Sequence, residues 1–366
     1  MRIVIFLNTS WNIYNFRLNL AKALKEKGNE VILVAPYDKY SDILSKEFKY
    51  YSINMSNKGT NPNEDMKLIF NIYKLYKKIK PDVVLNYTIK PNIYGNIACN
   101  ILGIKTINNI SGLGTVFIKK TFITQIVKYL YRYSLSKSSK VFFQNKDDMN
   151  LFLKNNLVKD KICELIPGSG IDLDKFKPIK TIQKSDNFKF LLIARLLWDK
   201  GIGEYIDATR EIKKKYKNID FLIVGAIWED NPTAISKEQI EEWENQALIS
   251  YLGTTDNIKE EIAKIDCIVL PSYREGTSRT LLEAAAMEKP IITTDVPGCR
   301  EVVDDGINGY LCKVRDSKDL ANKMKKILKL STKNQLEMGK RGREKMIHEF
   351  NEKIVIKSYL EAINRL

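Results

Sequence analysis

The stretch from Pro271 to Gly298, PSYREGTSRTLLEAAAMEKPIITTDVPG, indicates the fold of this chain more clearly than any other segment. Apolar residues 265–270 precede it, and a second apolar run, 290–294, follows its helix-forming centre. This order predicts a strand, a glycine turn, a helix and another strand. The start of such a helix directs free backbone N–H groups and the positive end of the helix dipole outward, which favours phosphate binding.

Two glutamates stand eight positions apart in this stretch, Glu275 in the turn and Glu283 about two helical turns further on. Glu283 can therefore reach a sugar hydroxyl while the turn residues Gly276, Thr277 and Ser278 hold phosphate at the helix start. This combination is typical of a nucleotide-sugar site. Two glutamates at this spacing also occur by chance in acidic helices, and the order of elements around them favours the functional interpretation.

The same residues resemble the E-x7-E signature of the family-4 glycosyltransferases, which are retaining enzymes of the GT-B architecture, and the likeness extends over nearly the whole chain. The resemblance implies two Rossmann-like, doubly wound α/β domains that face each other across a cleft. It also implies a UDP-sugar donor and a catalytic role for Glu275. Arg195 and Lys200 match the family's catalytic pair of donor-phosphate cations, although two cations on a loop are otherwise most often a solvated surface.

Strand-like and helix-like segments alternate in both halves of the chain, which predicts parallel sheets with helices on both faces. Strands are predicted at 2–7, 30–35, 82–87, 105–110, 141–145, 162–166, 189–194, 219–224, 249–252, 266–270, 290–294 and 309–312. The polar stretch Lys177 to Asn187 predicts the hinge, with an acceptor domain at 1–178 and a nucleotide-sugar domain at 179–350. In the resembled fold, the last helical segment, 351–366, crosses back onto the first domain.

The composition is that of a soluble globular protein, with 44% hydrophobic and 28% charged residues in a chain of 366. Its net charge of +16 is uneven, because residues 1–178 carry 28 Lys and Arg against 14 Asp and Glu, whereas the remainder carries 32 against 30. A basic half predicts an anionic partner, either a membrane or nucleic acid, unless it reflects composition bias alone. We find neither a signal peptide nor an apolar run long enough to span a bilayer, which predicts a cytoplasmic protein.

Two further loops contain candidate contacts. Thr255 and Asn257 follow the strand predicted at 249–252, where the resemblance implies that the backbone grips the uracil ring. An N-cap role for Thr255 or Asp256 explains these residues equally well. In the glycine-punctuated loop after the strand at 105–110, Ser111 is a candidate for acceptor binding.

The first loop departs from the family pattern. Many members have a Gly-Gly loop after the first strand, but this chain has no glycine between Met1 and Lys27. Tyr14 and Arg17 therefore become candidates for acceptor binding, with packing of a helix face as the alternative.

Neither a histidine base nor a metal is expected at the site. The single histidine, His348, lies far along the chain from every motif, and the resemblance implies that the leaving diphosphate accepts the proton of the acceptor. No D-x-D motif stands where a metal-dependent transferase would need one. We predict that the protein uses no metal and no other cofactor.

Residues 119–140, KKTFITQIVKYLYRYSLSKSSK, predict a basic, aromatic, amphipathic helix. Its apolar stripe is expected to comprise Ile123, Ile126, Val127 and Leu130. Such a helix can lie on an anionic bilayer, here the inner face of the inner membrane. The alternative is a helix whose apolar stripe packs in the core and whose basic face is hydrated. The candidate membrane-binding cations are Lys119, Lys120, Lys128 and Arg132.

Three segments, WNIYNFRLNL, RLLWDKG and IWEDNP, carry a closer resemblance within the family. They resemble the N-acetylgalactosaminyltransferases that extend undecaprenyl-diphosphate-linked diacetylbacillosamine in bacterial protein N-glycosylation. That likeness implies UDP-GalNAc as donor, an α-1,3 linkage and a polyprenyl-diphosphate-linked acceptor. Transferases of O-antigen and capsule synthesis share the signature and use other UDP-sugars. Two alternatives belong to other classes: a UDP-GlcNAc 2-epimerase, and a nucleic-acid-binding protein, which would not need Glu275 and Glu283.

Overall fold

The computed structural model describes residues 1–56, 61–113, 122–179, 187–228 and 231–366. The chain divides into two compact units, the first formed by residues 1–169 and 353–366 and the second by residues 170–352.

The division between the units precedes the boundary expected at residue 178. Ile171 pairs with Asn351, and Phe176 packs into the core of the second unit, so residues 170–178 belong there. Of the expected hinge, residues 180–186 lie outside the described part of the chain.

The first unit contains a seven-stranded parallel sheet in the order β3-β2-β1-β4-β5-β6-β7. The central strands are apolar and buried, as expected when helices cover both faces of a parallel sheet. Strand β3 was not predicted, because it is a short edge strand whose residues are only partly buried. The strands are β1 Arg2–Phe6, β2 Glu30–Ala35, β3 Lys49–Ser52, β4 Val83–Tyr87, β5 Lys105–Ile110, β6 Lys140–Phe143 and β7 Cys163–Leu165.

The helices of the first unit connect these strands, and a helix from the end of the chain joins them. The first helix begins after Thr9, whose hydroxyl accepts a hydrogen bond from the Asn12 N–H at 3.1 Å. A π-helical turn, Pro91–Gly95, precedes the fifth helix. The helices are α1 Ser10–Phe16, α2 Leu18–Glu26, α3 Ser41–Ser45, α4 Pro62–Ile79, α5 Asn96–Leu102, α6 Phe122–Ser134, α7 Lys146–Lys154 and α14 Glu352–Asn364.

Helix α14 is part of the first unit's core. Tyr359 is fully buried, with its ring centroid 5.9 Å from that of Tyr87 at the end of β4 and 4.8 Å from that of Phe142 in β6. Aromatic pairs at these distances add to the free energy gained by burying their apolar area.

The second unit contains a six-stranded parallel sheet in the order β10-β9-β8-β11-β12-β13, so the prediction of two parallel α/β units is confirmed. Its strands are β8 Phe188–Ile193, β9 Ile219–Val224, β10 Ser250–Tyr251, β11 Cys267–Leu270, β12 Ile291–Thr294 and β13 Gly309–Cys312. Its helices are α8 Ile202–Lys213, α9 Lys237–Asn245, α10 Ile258–Ala263, α11 Arg279–Ala286, α12 Ser317–Lys329 and α13 Thr332–Glu349.

Helix α13 packs closely against α11 through two glycines. A Cβ atom added at Gly339 would lie 1.9 Å from the carbonyl oxygen of Glu288, just beyond the end of α11. At Gly342 the added atom would lie 3.6 Å from Ala285, an ordinary contact distance. The position of α11, which contains Glu283, therefore depends on the missing side chain at Gly339.

We predict opposite effects for alanine at these two glycines. Gly339→Ala should lower the free energy of unfolding of the second unit by about 1–3 kcal/mol, because the new methyl group overlaps the backbone. Gly342→Ala should raise it by up to ~1 kcal/mol, because alanine favours the helical conformation. Urea unfolding followed by circular dichroism measures both, and equal shifts for the two variants would contradict this account of the packing.

Candidate active site

Two loops at the carboxyl edge of the second sheet contact each other through their backbones. Gly201, after β8, adopts a left-handed conformation with φ 73°. A Cβ atom there would lie 2.0 Å from the carbonyl oxygen of Pro271, after β11. The N–H of Tyr273 also donates to the carbonyl of Asp199 at 2.9 Å. The loops after β8 and β11 therefore form one surface.

This contact joins two of the predicted catalytic residues. Lys200 Nζ donates to Glu275 Oε1 at 2.5 Å. Only 15% of the lysine side chain and 16% of the glutamate side chain are exposed, so the ion pair is shielded from solvent. A hydrogen bond between two charged groups is stronger than a neutral one. The sequence predicted both residues but not this bond between them.

The turn that carries Glu275 is held by the loop after β12. The N–H of Glu275 donates to the carbonyl of Pro297, and the N–H of Ser278 donates to the carbonyl of Gly298, both at 3.0 Å. Ser278 occupies the N-cap position of α11, and within the described part of the chain its side chain makes no capping hydrogen bond. The Ser278 side chain therefore does not occupy the start of α11 as a cap.

Glu283 lies within α11 and is buried. Burial raises the pKa of its carboxyl group, while Arg279 acts in the opposite direction. Arg279 Nε donates to Glu283 Oε1 at 2.9 Å, and Arg279 Nη1 donates to the carbonyl of Gly170 at 2.5 Å. We did not predict this partner from the sequence, although its position four residues before Glu283 is the spacing of a helical ion pair.

Arg195 stands close to the ion pair of Lys200 and Glu275. Its guanidinium carbon lies 4.7 Å from the ring centroid of Trp228, which belongs to the IWEDNP segment but was given no role from the sequence. Much of Arg195 is open to solvent, but its guanidinium is partly desolvated, which lowers its pKa, and the nearby Glu275 carboxylate opposes that shift. The structure thus brings two cations and one carboxylate together at the ends of β8 and β11.

Thr255 and Asn257 lie after β10 at the same edge of the sheet. The N-cap of α10 is Asn257, not Thr255 or Asp256 as expected. The Thr255 hydroxyl instead accepts a hydrogen bond from the Asn257 N–H at 2.9 Å, which closes a local turn that ends at the cap residue. The N–H of Gly225 donates to the carbonyl of Gly253 at 2.9 Å, which ties this loop to the end of β9.

The acceptor candidates of the first unit lie at the carboxyl ends of β1 and β5. Tyr14 is half-buried, with its ring centroid 4.9 Å from that of Tyr40. Arg17, between α1 and α2, is buried with its guanidinium 4.5 Å from the ring centroid of Tyr87. Ser111 follows β5 and is half-buried.

Helix α6 differs from its predicted form. Ile123 and Ile126 were expected in the apolar stripe with Val127, but both are exposed. The buried face instead carries Thr124, Val127 and Tyr131, because the Tyr131 ring packs 5.1 Å from that of Phe152 and sets the rotation of the helix.

Two of the predicted membrane-binding cations on α6 contact the end of α7. Lys128 donates to Asn155 Oδ1 at 2.9 Å. Arg132 donates to the carbonyl groups of Asn155 and Asn156 at 2.9 and 3.0 Å. The other two, Lys119 and Lys120, lie outside the described residues.

The described residues contain neither a cluster of metal ligands nor a membrane-spanning helix. Within the described ranges, no group of three or more His, Cys, Asp or Glu side chains is arranged to hold a metal ion. No helix in the same ranges combines the length and apolar character needed to cross a membrane.

Two families of glycosyltransferases match the chain, one over each of its two units. Residues 2–145 match the family described as "Glycosyl transferase 4-like", and residues 174–345 match "Glycosyl transferases group 1". With two parallel α/β units, these matches define a GT-B glycosyltransferase, and the chain belongs to this family of enzymes. Neither the epimerase nor the nucleic-acid-binding alternative agrees with this assignment.

Two of the relatives are bacterial transferases whose names give an acceptor linked to diphospho-undecaprenol. The chain is 29% identical to N,N'-diacetylbacillosaminyl-diphospho-undecaprenol alpha-1,3-N-acetylgalactosaminyltransferase of Campylobacter jejuni, over 100% of this chain and 99% of the relative. It is 26% identical to UDP-Gal:alpha-D-GlcNAc-diphosphoundecaprenol alpha-1,3-galactosyltransferase of Escherichia coli, over 79% and 76% of the two chains.

Solved structures share the fold. Sucrose-phosphate synthase of Thermosynechococcus elongatus matches with a TM-score of 0.84 at 18% identity, over 100% of this chain and 98% of that one. Anabaena HepE, in complex with UDP and glucose, matches with a TM-score of 0.80 at 17% identity, over the whole of both chains.

We predict that Gly298→Ala disrupts the turn at Glu275. Gly298 has φ 82°, and a Cβ atom there would lie 2.4 Å from the Gly276 oxygen. Gly306 is a matched control, because it has φ 80° but no heavy atom of the described residues lies within 4 Å of an added Cβ. Both alanine variants should be destabilised by backbone strain of about 1 kcal/mol, but only Gly298→Ala should also lose activity. Equal activities in the two folded variants would contradict a role for this contact in the site.

Proposed function

We propose that the protein is a retaining glycosyltransferase that moves N-acetylgalactosamine from UDP-GalNAc to an undecaprenyl-diphosphate-linked sugar of the diacetylbacillosamine type. The proposal for the active site rests chiefly on the shielded ion pair of Lys200 and Glu275 below the start of α11, with Arg195 beside it. The donor and acceptor follow the name of the Campylobacter relative.

The proposed donor site uses the charges in the second unit. Arg195 and Lys200 stabilise the diphosphate as the bond to the sugar breaks, because fixed cations are most effective where negative charge develops. Glu275 orients the Lys200 ammonium group and accepts a hydrogen bond from the donor sugar. Glu283, held by Arg279, binds the ribose hydroxyls. Gly276, Thr277 and Ser278 form the turn at the start of α11 that lies beside the phosphates, and Thr255 and Asn257 lie in the proposed uracil loop.

We propose that the reaction requires no metal ion and no other cofactor. The two cations and the N-terminus of α11 supply the positive charge that a divalent ion would provide in a metal-dependent transferase. The leaving phosphate takes the proton of the acceptor hydroxyl, so the proposed mechanism needs no histidine base.

A second candidate within the same class is transfer of another UDP-sugar. The specific observation in its favour is the Escherichia coli relative, which is named as a galactosyltransferase acting on a diphosphoundecaprenol-linked sugar. A capsular polysaccharide glycosyltransferase of Staphylococcus aureus is also 26% identical, over 91% of this chain and 85% of that one.

An assay with a panel of UDP-sugars in EDTA, with and without a polyprenyl-diphosphate-linked acceptor, tests these proposals. We expect transfer from UDP-GalNAc only when the acceptor is present. Arg195→Ala and Lys200→Ala should each lower turnover by at least ~10²-fold, the effect of losing one strong electrostatic contact. Arg210→Ala is the control, because Arg210 forms an exposed ion pair with Asp207 in the same unit.

Three results would contradict the proposals. Turnover near that of wild type in folded Arg195 and Lys200 variants would remove both residues from the donor site. Transfer from a different UDP-sugar would favour the second candidate. Loss of activity in EDTA, restored by magnesium or manganese, would show a metal requirement.

We further propose that the first unit docks on the anionic inner face of the inner membrane through α6. The exposed face of this helix carries Ile123, Ile126, Tyr129 and Tyr133. Apolar and aromatic side chains on a helix in a basic protein suit the interface of an anionic bilayer. Since Lys128 and Arg132 are hydrogen bonded to the end of α7, the exposed apolar face is proposed to contribute more than these two charges.

We predict that Ile123→Ser/Ile126→Ser weakens binding to anionic liposomes by at least ~10-fold, because each isoleucine contributes on the order of 1 kcal/mol when it enters the bilayer interface. Leu336→Ser is the control, since Leu336 is an exposed apolar residue of the second unit. Vesicle sedimentation measures the binding, and high salt should weaken it for wild type. Unchanged binding of the double variant would exclude this face as the docking surface.

A further inference from the structure

The strand order of the first sheet reverses between β1 and β4, and we call the position at their carboxyl ends the crevice. β1 pairs with β2 on one side and with β4 on the other. The chain leaves β1 toward β2 and leaves β4 toward β5, so the two connections diverge. In open parallel sheets, ligands bind at such a switch in strand order.

Arg17 lies at this position. Only 5% of the residue is exposed, and its guanidinium carbon is 4.5 Å from the ring centroid of Tyr87, the last residue of β4. Nη1 donates to the carbonyl of Phe16 at 3.2 Å. Nε is buried and has no hydrogen-bond partner among the described residues, and none of their carboxylates forms an ion pair with Arg17.

A buried cation without an anionic partner is costly. Moving a charge out of water costs free energy, which a neutral hydrogen bond and an aromatic ring offset only in part. The charge therefore destabilises the unit unless an anion from outside pairs with it.

The polar groups beyond the Tyr87 ring are neutral. The Tyr359 hydroxyl, close to the Tyr87 ring, accepts a hydrogen bond from Asn109 Nδ2 at 3.0 Å. Asn92 Nδ2 donates to the Asn109 carbonyl at 2.8 Å. Asn92 Oδ1 is buried without a hydrogen-bond partner in the part of the chain that the structure describes. These amides and hydroxyls satisfy polar ligands without cancelling the positive charge.

The backbone after β4 is also unusual. Thr88, a β-branched residue, adopts a left-handed conformation with φ 65°. The π-helical turn Pro91–Gly95, which contains Asn92, follows directly. Both features cost free energy, and such features occur often at functional sites.

We propose that this crevice binds a phosphate group of the acceptor, with Arg17 as its counter-ion. The inference rests on the proposed function for the class of acceptor, and it adds the group that is recognised and the residue that recognises it. A guanidinium binds two phosphate oxygens at once, so one side chain both attracts and orients the diphosphate.

The test compares Arg17→Met with wild type on two acceptors: a short polyprenyl-diphosphate-linked N-acetylhexosamine, and the same sugar on an uncharged alkyl chain. Arg17→Met should raise the KM for the diphosphate acceptor by at least ~10-fold, the equivalent of about 1.4 kcal/mol. The KM for the uncharged acceptor should stay within about twofold of wild type, since its recognition includes no ion pair with the guanidinium. The unfolding midpoint should remain unchanged or rise, because an unpaired buried charge is removed.

Lys25→Met is the matched control. Lys25 Nζ lies 5.2 Å from the ring centroid of Phe48 in the same unit, at an exposed position. This variant should leave both KM values unchanged. Arg17→Lys, which keeps the charge but not the planar fork, should retain part of the preference for the charged acceptor.

A structural role for Arg17 predicts the opposite pattern. The proposal would be overturned if Arg17→Met lowered the unfolding midpoint and raised the KM for both acceptors equally, and if Arg17→Lys did the same. Failure of wild type to glycosylate either acceptor would instead refute the proposed function, so the two failures are distinguishable.

Discussion

The close approach of two backbones, at Gly201 and Pro271, is the constraint on which the candidate active site depends. No side chain fits between them, so the loops that follow β8 and β11 remain in contact. Lys200 and Glu275 each stand close to this contact, and their ion pair is short and shielded because the backbones already hold the two side chains together. The loop after β12 supports the same turn from the other side. A preorganised charge pair of this kind needs little rearrangement when a ligand arrives.

The two units use their buried polar groups differently. In the second unit the buried carboxylate of Glu283 has a cationic partner, Arg279, within the same helix. In the first unit the buried cation, Arg17, has neutral neighbours such as Tyr359 and Asn109. The buried carboxylate of the proposed donor unit is thus paired, whereas the buried cation of the proposed acceptor unit has no anionic partner among the described residues. This difference agrees with the uneven distribution of charge along the sequence and with an acceptor that brings its own negative groups.

The sequence was sufficient for nearly all strands of the two sheets, because apolar runs and glycine turns are local signals, whereas the roles of the second unit's site residues remain predictions. It was insufficient for features that depend on contacts between residues distant in the sequence. Strand β3 lacks an apolar run because it lies at a sheet edge. The exposure of Ile126 follows from the packing of Tyr131, and no periodicity within α6 reveals it. The burial of Arg17 depends on Tyr87 and Tyr359, both distant in sequence, so it could not be read from the first loop.

The path of the chain has a consequence for its synthesis on the ribosome. The first unit is interrupted after Ser169 and resumes only at Lys353, with Tyr359 at the centre of its core. The second unit is continuous, so it can fold while the nascent chain is still growing. The first unit must wait for its last helix, on the order of ten seconds or more at roughly 5–20 residues per second. During that interval the surface meant for α14, including the ring of Tyr87, is open to water and to chaperones.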